Sequence, residues 1–191
     1  MRHRVDAGRS GNRRTGCDRG LRAPGPPPAN HPRQTRPAEA VVIDPTVRAA
    51  DPACGDDLAQ LALLEREARA ALVGQRGGDR WLVEHPEVDG EWARRCVVSA
   101  VYVAVIDDVV VGYLVADLGT DRVVRVDQVW VTPEARELGF GDELLALAIS
   151  AARTSGAVAV EGQALPGDRH TKNLYERAGI VARLITTFKW I

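Results

Sequence analysis

The stretch VTPEARELGFG (131–141) decides the fold, because it joins a β-rich segment to a helical one. The segment before it, VVRVDQVWV (123–131), is rich in β-branched residues, and the segment after it, DELLALAISAARTSG (142–156), repeats apolar residues at helical spacing. The proline in the stretch ends the strand, and its glycines allow the backbone to approach a ligand closely. Because the first N–H groups of a helix lack intrahelical partners, the sequence predicts a main-chain site for phosphate or pyrophosphate.

The glycines of this stretch could also belong to a turn without a ligand or to a nucleotide-binding motif, and each requires different neighbouring residues. A tight β-to-α turn without a ligand is an alternative on the glycines alone. A Walker-type loop needs a lysine directly after its last glycine, whereas Asp142 follows Gly141 here. A dinucleotide-binding fingerprint needs a third glycine and a position early in a βαβ unit, and neither is present. The pattern favours an anion site without matching either nucleotide-binding motif.

Two motifs resemble one known family. Arg136-x-x-Gly139-x-Gly141, after a strand that ends in Val-x-Pro, resembles the acetyl-CoA pyrophosphate loop of the GNAT superfamily of N-acetyltransferases. The segment HTKNLYERAGI (170–180) is similar to the family's Ala-x-x-Leu-Tyr-Glu-x-x-Gly-Phe motif. Two motifs in the right order and at the right separation are more specific than either alone. The resemblance extends from about Val47 to the C-terminus.

The resemblance implies acetyl-CoA as co-substrate, held in a wedge where the strands 123–131 and 157–163 splay apart. The residues that it assigns to the cofactor are Val129, Trp130 and Val131 at the strand end, Arg136, Glu137, Leu138, Gly139, Phe140 and Gly141 in the loop, and Asp168 and Asn173 beside it. Arg136 would add a cation beside the phosphates. Its alternative role is a surface ion pair with Glu134 or Glu137.

Acetyl transfer to an amine needs one group that accepts a proton from the amine and another that protonates the departing thiolate. The resemblance assigns the second role to Tyr175, whose alternative is an aromatic side chain packed on the sheet. Asp127 lies mid-strand among apolar residues, where a carboxylate is costly unless it is used or paired. It is therefore a candidate base, and pairing with Arg125, two residues earlier on the same face, is the alternative. Glu161 on the neighbouring strand is the second candidate base.

The periodicity predicts the order of elements and the fold class, an α/β (α+β) fold. The expected strands are Val47–Ala50, Ser99–Ile106, Val109–Leu118, Val123–Val131, Ala157–Gln163 and Ile180–Trp190. The expected helices run from Asp56 or Asp57 to about Val73, then Gly90–Val97, 142–156 and Thr171–Ala178, with a glycine-containing loop after Val73. This is a GNAT-type mixed, mostly antiparallel central sheet with helices on both faces and splayed strands at the cofactor site.

Charge and composition divide the chain at about residue 40. Residues 1–40 hold nine Arg and three acidic residues, net +6, whereas residues 41–191 hold 16 Lys+Arg and 23 Asp+Glu, net −7. The first segment is rich in Pro, Gly and Arg, so we expect it to be disordered. It is either a basic arm or the result of a start codon assigned too far upstream, with Val41 or Val42 as the alternative start. Residues 41–191 are expected to form one acetyltransferase domain.

Several classes of protein are disfavoured. The chain has no apolar run long enough to span a bilayer and no signal peptide, so we expect a cytoplasmic protein without membrane contact. Cys17, Cys54 and Cys96 are isolated, which favours reduced thiols. The four histidines have no ligand spacing among themselves or with the cysteines, so no metal is expected. Because the domain is acidic and lacks interleaved basic and aromatic residues, we expect no nucleic-acid partner.

The acceptor is expected to be an amine, on a small molecule or on a protein. The segments that would form its entrance are acidic and aromatic, which suits a cationic amine; an ordinary solvated surface is the alternative. The residues concerned are Glu65, Glu84, Glu87, Asp89 and Glu91, with Trp81, His85 and Trp92. The final strand, with Phe188 and Trp190, is a candidate homodimer contact. A non-catalytic domain that senses acetyl-CoA is the rival function.

Overall fold

A computed structural model of the protein describes residues 45–189. The predictions for residues 1–40, the start at Val41 or Val42 and the exposure of Trp190 lie outside the described residues. The strands are β1 (Pro45–Ala49), β2 (Ala100–Ile106), β3 (Val109–Leu118), β4 (Val123–Val131) and β5 (Ala159–Gly162). The α-helices are α1 (Gly55–Leu72), α2 (Gly78–Glu84), α3 (Trp92–Val98), α4 (Phe140–Thr154) and α5 (Arg169–Arg177), with 3₁₀ turns at Asp89–Glu91 and Pro133–Leu138.

The five strands form one sheet in chain order, from β1 to β5. Neighbouring strands are antiparallel except β4 and β5, which are parallel and are joined by α4. One apolar core lies between the sheet and the helices α4 and α5, where Phe140, Leu144 and Leu145 are buried. A second core lies on the other face, under α1 and α3, around Leu61 and Trp92. The mixed, mostly antiparallel sheet with helices on both faces confirms the predicted fold class.

A β-bulge interrupts the pairing of β3 with β4. Val115 pairs with Gln128, whereas the next residue of β3, Ala116, pairs with Val126, so Asp127 is an extra residue in β4. An extra residue changes the phase of the side chains along a strand. Val126 and Val129 therefore both face the α4 core, while Asp127 and Gln128 stand together on the α1 face.

Two predicted elements are wrong. Residues 180–189 form no strand, and Leu184 and Ile185 are both more than four-fifths exposed. The backbone of a strand needs hydrogen bonds from a neighbouring strand. In the described part of the chain this segment pairs with no strand, although its composition is rich in β-forming residues. The expected loop after Val73 contains the helix α2. Gly77, with a φ of +85°, precedes that helix, so a glycine that indicated a loop instead begins a helix.

Candidate active site

The pairing of β4 with the edge strand β5 ends halfway along β4. The two strands pair from Val123 with Ala159 as far as Val126 with Gly162, and β4 then continues to Val131 with β3 as its remaining partner. On the side where β5 has ended, half of the backbone N–H and C=O groups of the last residues of β4 are left without a strand partner. The predicted splay is therefore present, and its open backbone faces a cleft.

The cleft has a volume of about 900 Å³ and reaches both faces of the sheet. Its lining includes most of the predicted cofactor residues: Val129, Trp130, Val131, Arg136, Glu137, Gly139, Gly141, Asp168 and Asn173. Tyr175 and Asp127 also line it, together with Trp81 and the C-terminal half of α1. The structure thus brings together the candidate acid, one candidate base and the anion loop, which lie far apart in the sequence.

Three predicted site residues lie elsewhere. Leu138 is more than half exposed, and Phe140 is buried in the α4 core, where its ring anchors the start of the helix. Neither side chain lines the cleft, so only their backbone could meet a ligand. Glu161 is exposed on the edge strand β5, and its carboxylate lies 3.4 Å from the guanidinium of Arg125. The structure does not bring Glu161 into the cleft.

The anion loop is built as its glycines require. Gly139 has a φ of +87° and separates the 3₁₀ turn from α4. A methyl group on it would meet nothing within 4 Å, so the space in front of this residue is open. Its carbonyl accepts the N–H groups of Asp142 and Glu143, at 3.0 and 3.2 Å. The earlier N–H groups of α4 precede any intrahelical acceptor and are available to an anion.

Arg136 connects the loop to the end of β4. Its Nε donates to the carbonyl of Val131 at 3.0 Å, and its guanidinium lies 4.6 Å from the centre of the Trp130 ring. Within residues 45–189 it forms an ion pair with neither Glu134 nor Glu137, so that alternative is wrong. The guanidinium lines the cleft, and no carboxylate among the described residues forms an ion pair with it.

Tyr175 is buried and packs its ring on Gly162, at the point where β5 ends. Burial, reinforced by the charges of Asp168 and Asp127, raises the pKa of this phenol far above its usual range. The group is therefore a neutral O–H donor at any physiological pH. Asp168 has a structural role as well, because its Oδ1 accepts the N–H of Thr171 at 3.0 Å and caps α5.

Asp127 has partners that the sequence did not predict. Nη2 of Arg95 donates to its Oδ2 at 2.8 Å, and Nε2 of His85 lies 3.5 Å from its Oδ1. The alternative pairing with Arg125 is wrong, because Arg125 binds Asp121 at 2.7 Å and Glu161. Arg95 also binds Asp117 at 2.9 Å, so two carboxylates share one guanidinium.

Of the eight residues expected at an acidic and aromatic entrance, Trp81 alone lines the cleft. Glu65 and Trp92 are buried in the second core; Oε1 of Glu65 accepts the N–H of Val88 at 2.9 Å. Burial raises the pKa of the Glu65 carboxyl. His85 does not line the cleft but lies beside Asp127. The spacing of four between Trp81 and His85 at the end of a helix was the available signal.

Two kinds of site do not occur in the described part of the chain. Between residues 45 and 189, no three His, Cys, Asp or Glu side chains are arranged to hold a metal ion. No helix in the same range is both long and apolar enough to cross a membrane.

Comparisons with known proteins agree with the fold. The model of the acetyltransferase (GNAT) family matches residues 61–180, which is more than half of the chain. The comparison with curated proteins gives no match.

Among solved structures, AAC(6')-Iy in complex with the bisubstrate analogue CoA-S-monomethyl-acetylneamine is 18% identical, with a TM-score of 0.55 over 78% of this chain and 99% of that chain. The aminoglycoside acetyltransferase meta-AAC0020, from an uncultured soil metagenomic sample, is 15% identical, with a TM-score of 0.59 over 77% and 95%. A ribosomal-protein-alanine N-acetyltransferase from Brucella melitensis biovar Abortus 2308 is 17% identical, with a TM-score of 0.55 over 78% and 98%. At these identities the likeness shows a shared fold.

Proposed function

Because the chain belongs to the GNAT acetyltransferase family, we propose that it moves an acetyl group from acetyl-CoA to a primary amine, by direct attack in a ternary complex. The observation that carries this proposal is the cleft between β4 and β5. There the open backbone of one strand, an anion loop, a neutral phenol and a carboxylate surround one space. Bound acetyl-CoA would supply a thioester, which is reactive toward amines.

The residues present fit such a co-substrate. The unpaired edge of β4 at Val129–Val131 can bind an extended amide chain as an added strand does. The start of α4 offers N–H groups to a pyrophosphate, with open space in front of Gly139 and a guanidinium from Arg136 beside it. Glu137, Asp168 and Asn173 line the same end of the cleft.

The chemistry is divided between two faces of the sheet. Tyr175 belongs to the α4 face and can donate its proton to a thiolate. A backbone N–H near Val131 can polarise a carbonyl in the wedge. Asp127 belongs to the α1 face, where the amine would enter past Trp81, and can accept the proton of the amine. The faces meet only where β5 has ended, so the amine and thioester would meet in the wedge.

Direct attack needs no acetylated residue of the enzyme. Of the cysteines in the described range, neither Cys54 nor Cys96 lines the cleft. Burial raises the pKa of the Cys96 thiol, which makes it a poorer nucleophile. The proposal therefore has both substrates bound together.

Calorimetry with acetyl-CoA and the whole chain tests the cofactor site. We expect the wild type to bind and Gly139→Glu to lose binding, because the new side chain is strained at positive φ and brings a negative charge to the anion site. Gly55→Glu is the matched control: Gly55 is exposed at the start of α1, and a methyl there meets nothing within 4 Å. Absence of binding to a folded wild type would refute the proposal.

The reaction is tested by measuring the release of the CoA thiol from acetyl-CoA in the presence of a panel of amines. The panel contains sisomicin for small polyamines and a peptide with N-terminal alanine for protein acceptors, both classes named among structural neighbours. We expect acetyl-CoA-dependent release with at least one class. If the chain binds acetyl-CoA but no amine of the panel leads to thiol release, the rival function, a non-catalytic domain that senses acetyl-CoA, would be favoured.

A further inference from the structure

The ring of His85 is held from three sides. The residue follows α2, and its Nδ1 lies 3.0 Å from the carbonyl oxygen of Trp81. The imidazole stacks on the Trp81 ring, with centroids 4.3 Å apart and planes 7° from parallel. Nη1 of Arg69 donates to the His85 carbonyl at 2.6 Å and fixes the backbone. These contacts aim Nε2 at Oδ1 of Asp127, 3.5 Å away.

Both ring nitrogens of His85 thus face oxygen atoms that accept hydrogen bonds. The Trp81 carbonyl and the Asp127 carboxylate both accept only, so a neutral ring can donate to one of them. The shorter contact, 3.0 Å against 3.5 Å, favours Nδ1 as the donor. This leaves the lone pair of Nε2 directed at the carboxylate of Asp127. One added proton at Nε2 turns that contact into a charge-assisted hydrogen bond. The geometry is therefore that of a site that takes up a single proton.

Charged groups from four elements lie around the pair. They are Asp127 of β4, Arg95 of α3, Asp117 of β3 and Arg69 of α1, whose guanidinium binds the His85 carbonyl. With a neutral imidazole these two carboxylates and two guanidinium groups sum to zero, so the direct contact with Asp127 is what would hold a proton on His85.

We propose that His85 receives, through Asp127, the proton that the acceptor amine loses. The inference rests on the proposed function, in which Asp127 faces the amine. An N–H bond of the ammonium breaks, and its electron pair stays on nitrogen as the nucleophile. The proton passes to the carboxylate of Asp127 and then to Nε2 of His85, which leaves Asp127 ionised again. His85 does not line the cleft, so it acts through Asp127 as a positioning residue and proton store.

The pH profile of kcat/KM tests this role, with acetyl-CoA and whichever panel amine the wild type accepts. We expect the wild-type value to fall toward acid pH, because a proton already on Nε2 of His85 leaves Asp127 no group to which it can pass its proton. In His85→Gln that acid limb should disappear, with kcat about 10²-fold lower and the KM for acetyl-CoA unchanged. His85→Asn, whose amide can still donate to Trp81, should behave alike.

The matched control is Asp79→Asn, which removes an exposed charge from the same helix α2 and should keep the limb. A second readout needs no amine: nitrogen NMR of the unliganded whole chain should show neutral His85 with its proton on Nδ1. If the wild type releases no thiol with any amine, the proposed function fails and this inference fails with it. If the wild type is active, but folded His85→Gln keeps the acid limb or neutral His85 carries its proton on Nε2, only this inference is overturned.

Discussion

Replacing Gly162 by alanine should displace the phenol of Tyr175. An ideal methyl group at this position would lie 2.7 Å from Oη and 2.8 Å from Cε1 of that side chain, and closer still to Cζ. Ordinary contact begins at 3.4 Å, so the ring must retreat by well over half an ångström. The ring is 6% exposed and belongs to the α4 core, which leaves it little room to move.

The expected magnitudes follow from this geometry. Overpacking of this kind typically costs about 1–3 kcal/mol of the free energy of unfolding. For a chain of this size, each kcal/mol lowers Tm by about 2–4 °C, so we expect a fall of about 2–12 °C. A displacement of roughly 1 Å in a reacting group can reduce the rate about 10²-fold, and kcat for acetyl transfer should fall accordingly.

A double-mutant cycle separates this clash from a general effect on β5. Tyr175→Leu removes the outer ring atoms that the new methyl would meet, so Gly162→Ala should be nearly neutral in that background. Gly90→Ala serves as the control, because a methyl group there meets nothing within 4 Å. Thermal unfolding of the four proteins of the cycle gives the coupling free energy. An equal loss of Tm in both backgrounds would refute the reasoning.

Two further changes test the sheet and its link to α1. Gly112→Ala should cost about 1–3 kcal/mol in urea unfolding, because its methyl would lie 2.9 Å from the carbonyl oxygen of Trp130; an unchanged midpoint would contradict this. Asp57→Asn should cost about 1–3 kcal/mol at pH 7, because it breaks a partly buried pair with Arg48. That guanidinium lowers the pKa of the Asp57 carboxyl in the folded state. The stabilisation is therefore complete above the unfolded pKa of about 3.9 and is lost as the pH falls through the lower folded value. If the cost of Asp57→Asn did not shrink between pH 7 and pH 3, this account of the pair would be contradicted.

The local parts of the fold were predictable from the sequence. Proline, glycine and apolar periodicity specify the strand, turn and helix from Val123 to Thr154 through neighbouring residues alone, and the structure differs there by about two residues. Tyr175 lines the cleft, and its assigned role as the acid stays a prediction. The prediction of a strand after α5 was wrong, because a strand depends on a partner strand, which composition does not reveal.

The partners of Asp127 could not be predicted, because they are non-local. Arg95 lies 32 residues earlier in the chain, and His85 lies on another element again. The rule that residues i and i−2 share a face indicated Arg125, which binds elsewhere. Likewise, Glu65 was expected at the acidic entrance, yet it is fully buried with the N–H of Val88 as partner.

The extra residue of the bulge, Asp127, is expected to be required for acetyl transfer but not for folding. Deletions of single residues in β4 should show this difference. Without Asp127, β4 would pair regularly with β3: Val126 would still face the α4 core and Gln128 the α1 face. We expect this variant to stay folded, with a Tm within a few degrees of the wild type, and to lose acetyl transfer.

The contrasting variant lacks Val126 instead. There Asp127 would move into the place of a buried valine, and a carboxylate would enter the α4 core without a partner. We expect that protein to lose most of its cooperative thermal transition. The two deletions differ by one position in the same strand, so a general sensitivity of β4 to shortening would affect both equally. Equal losses of Tm would therefore refute the idea that Asp127 is an insertion serving the site, whereas the expected contrast would show that the fold does not require it.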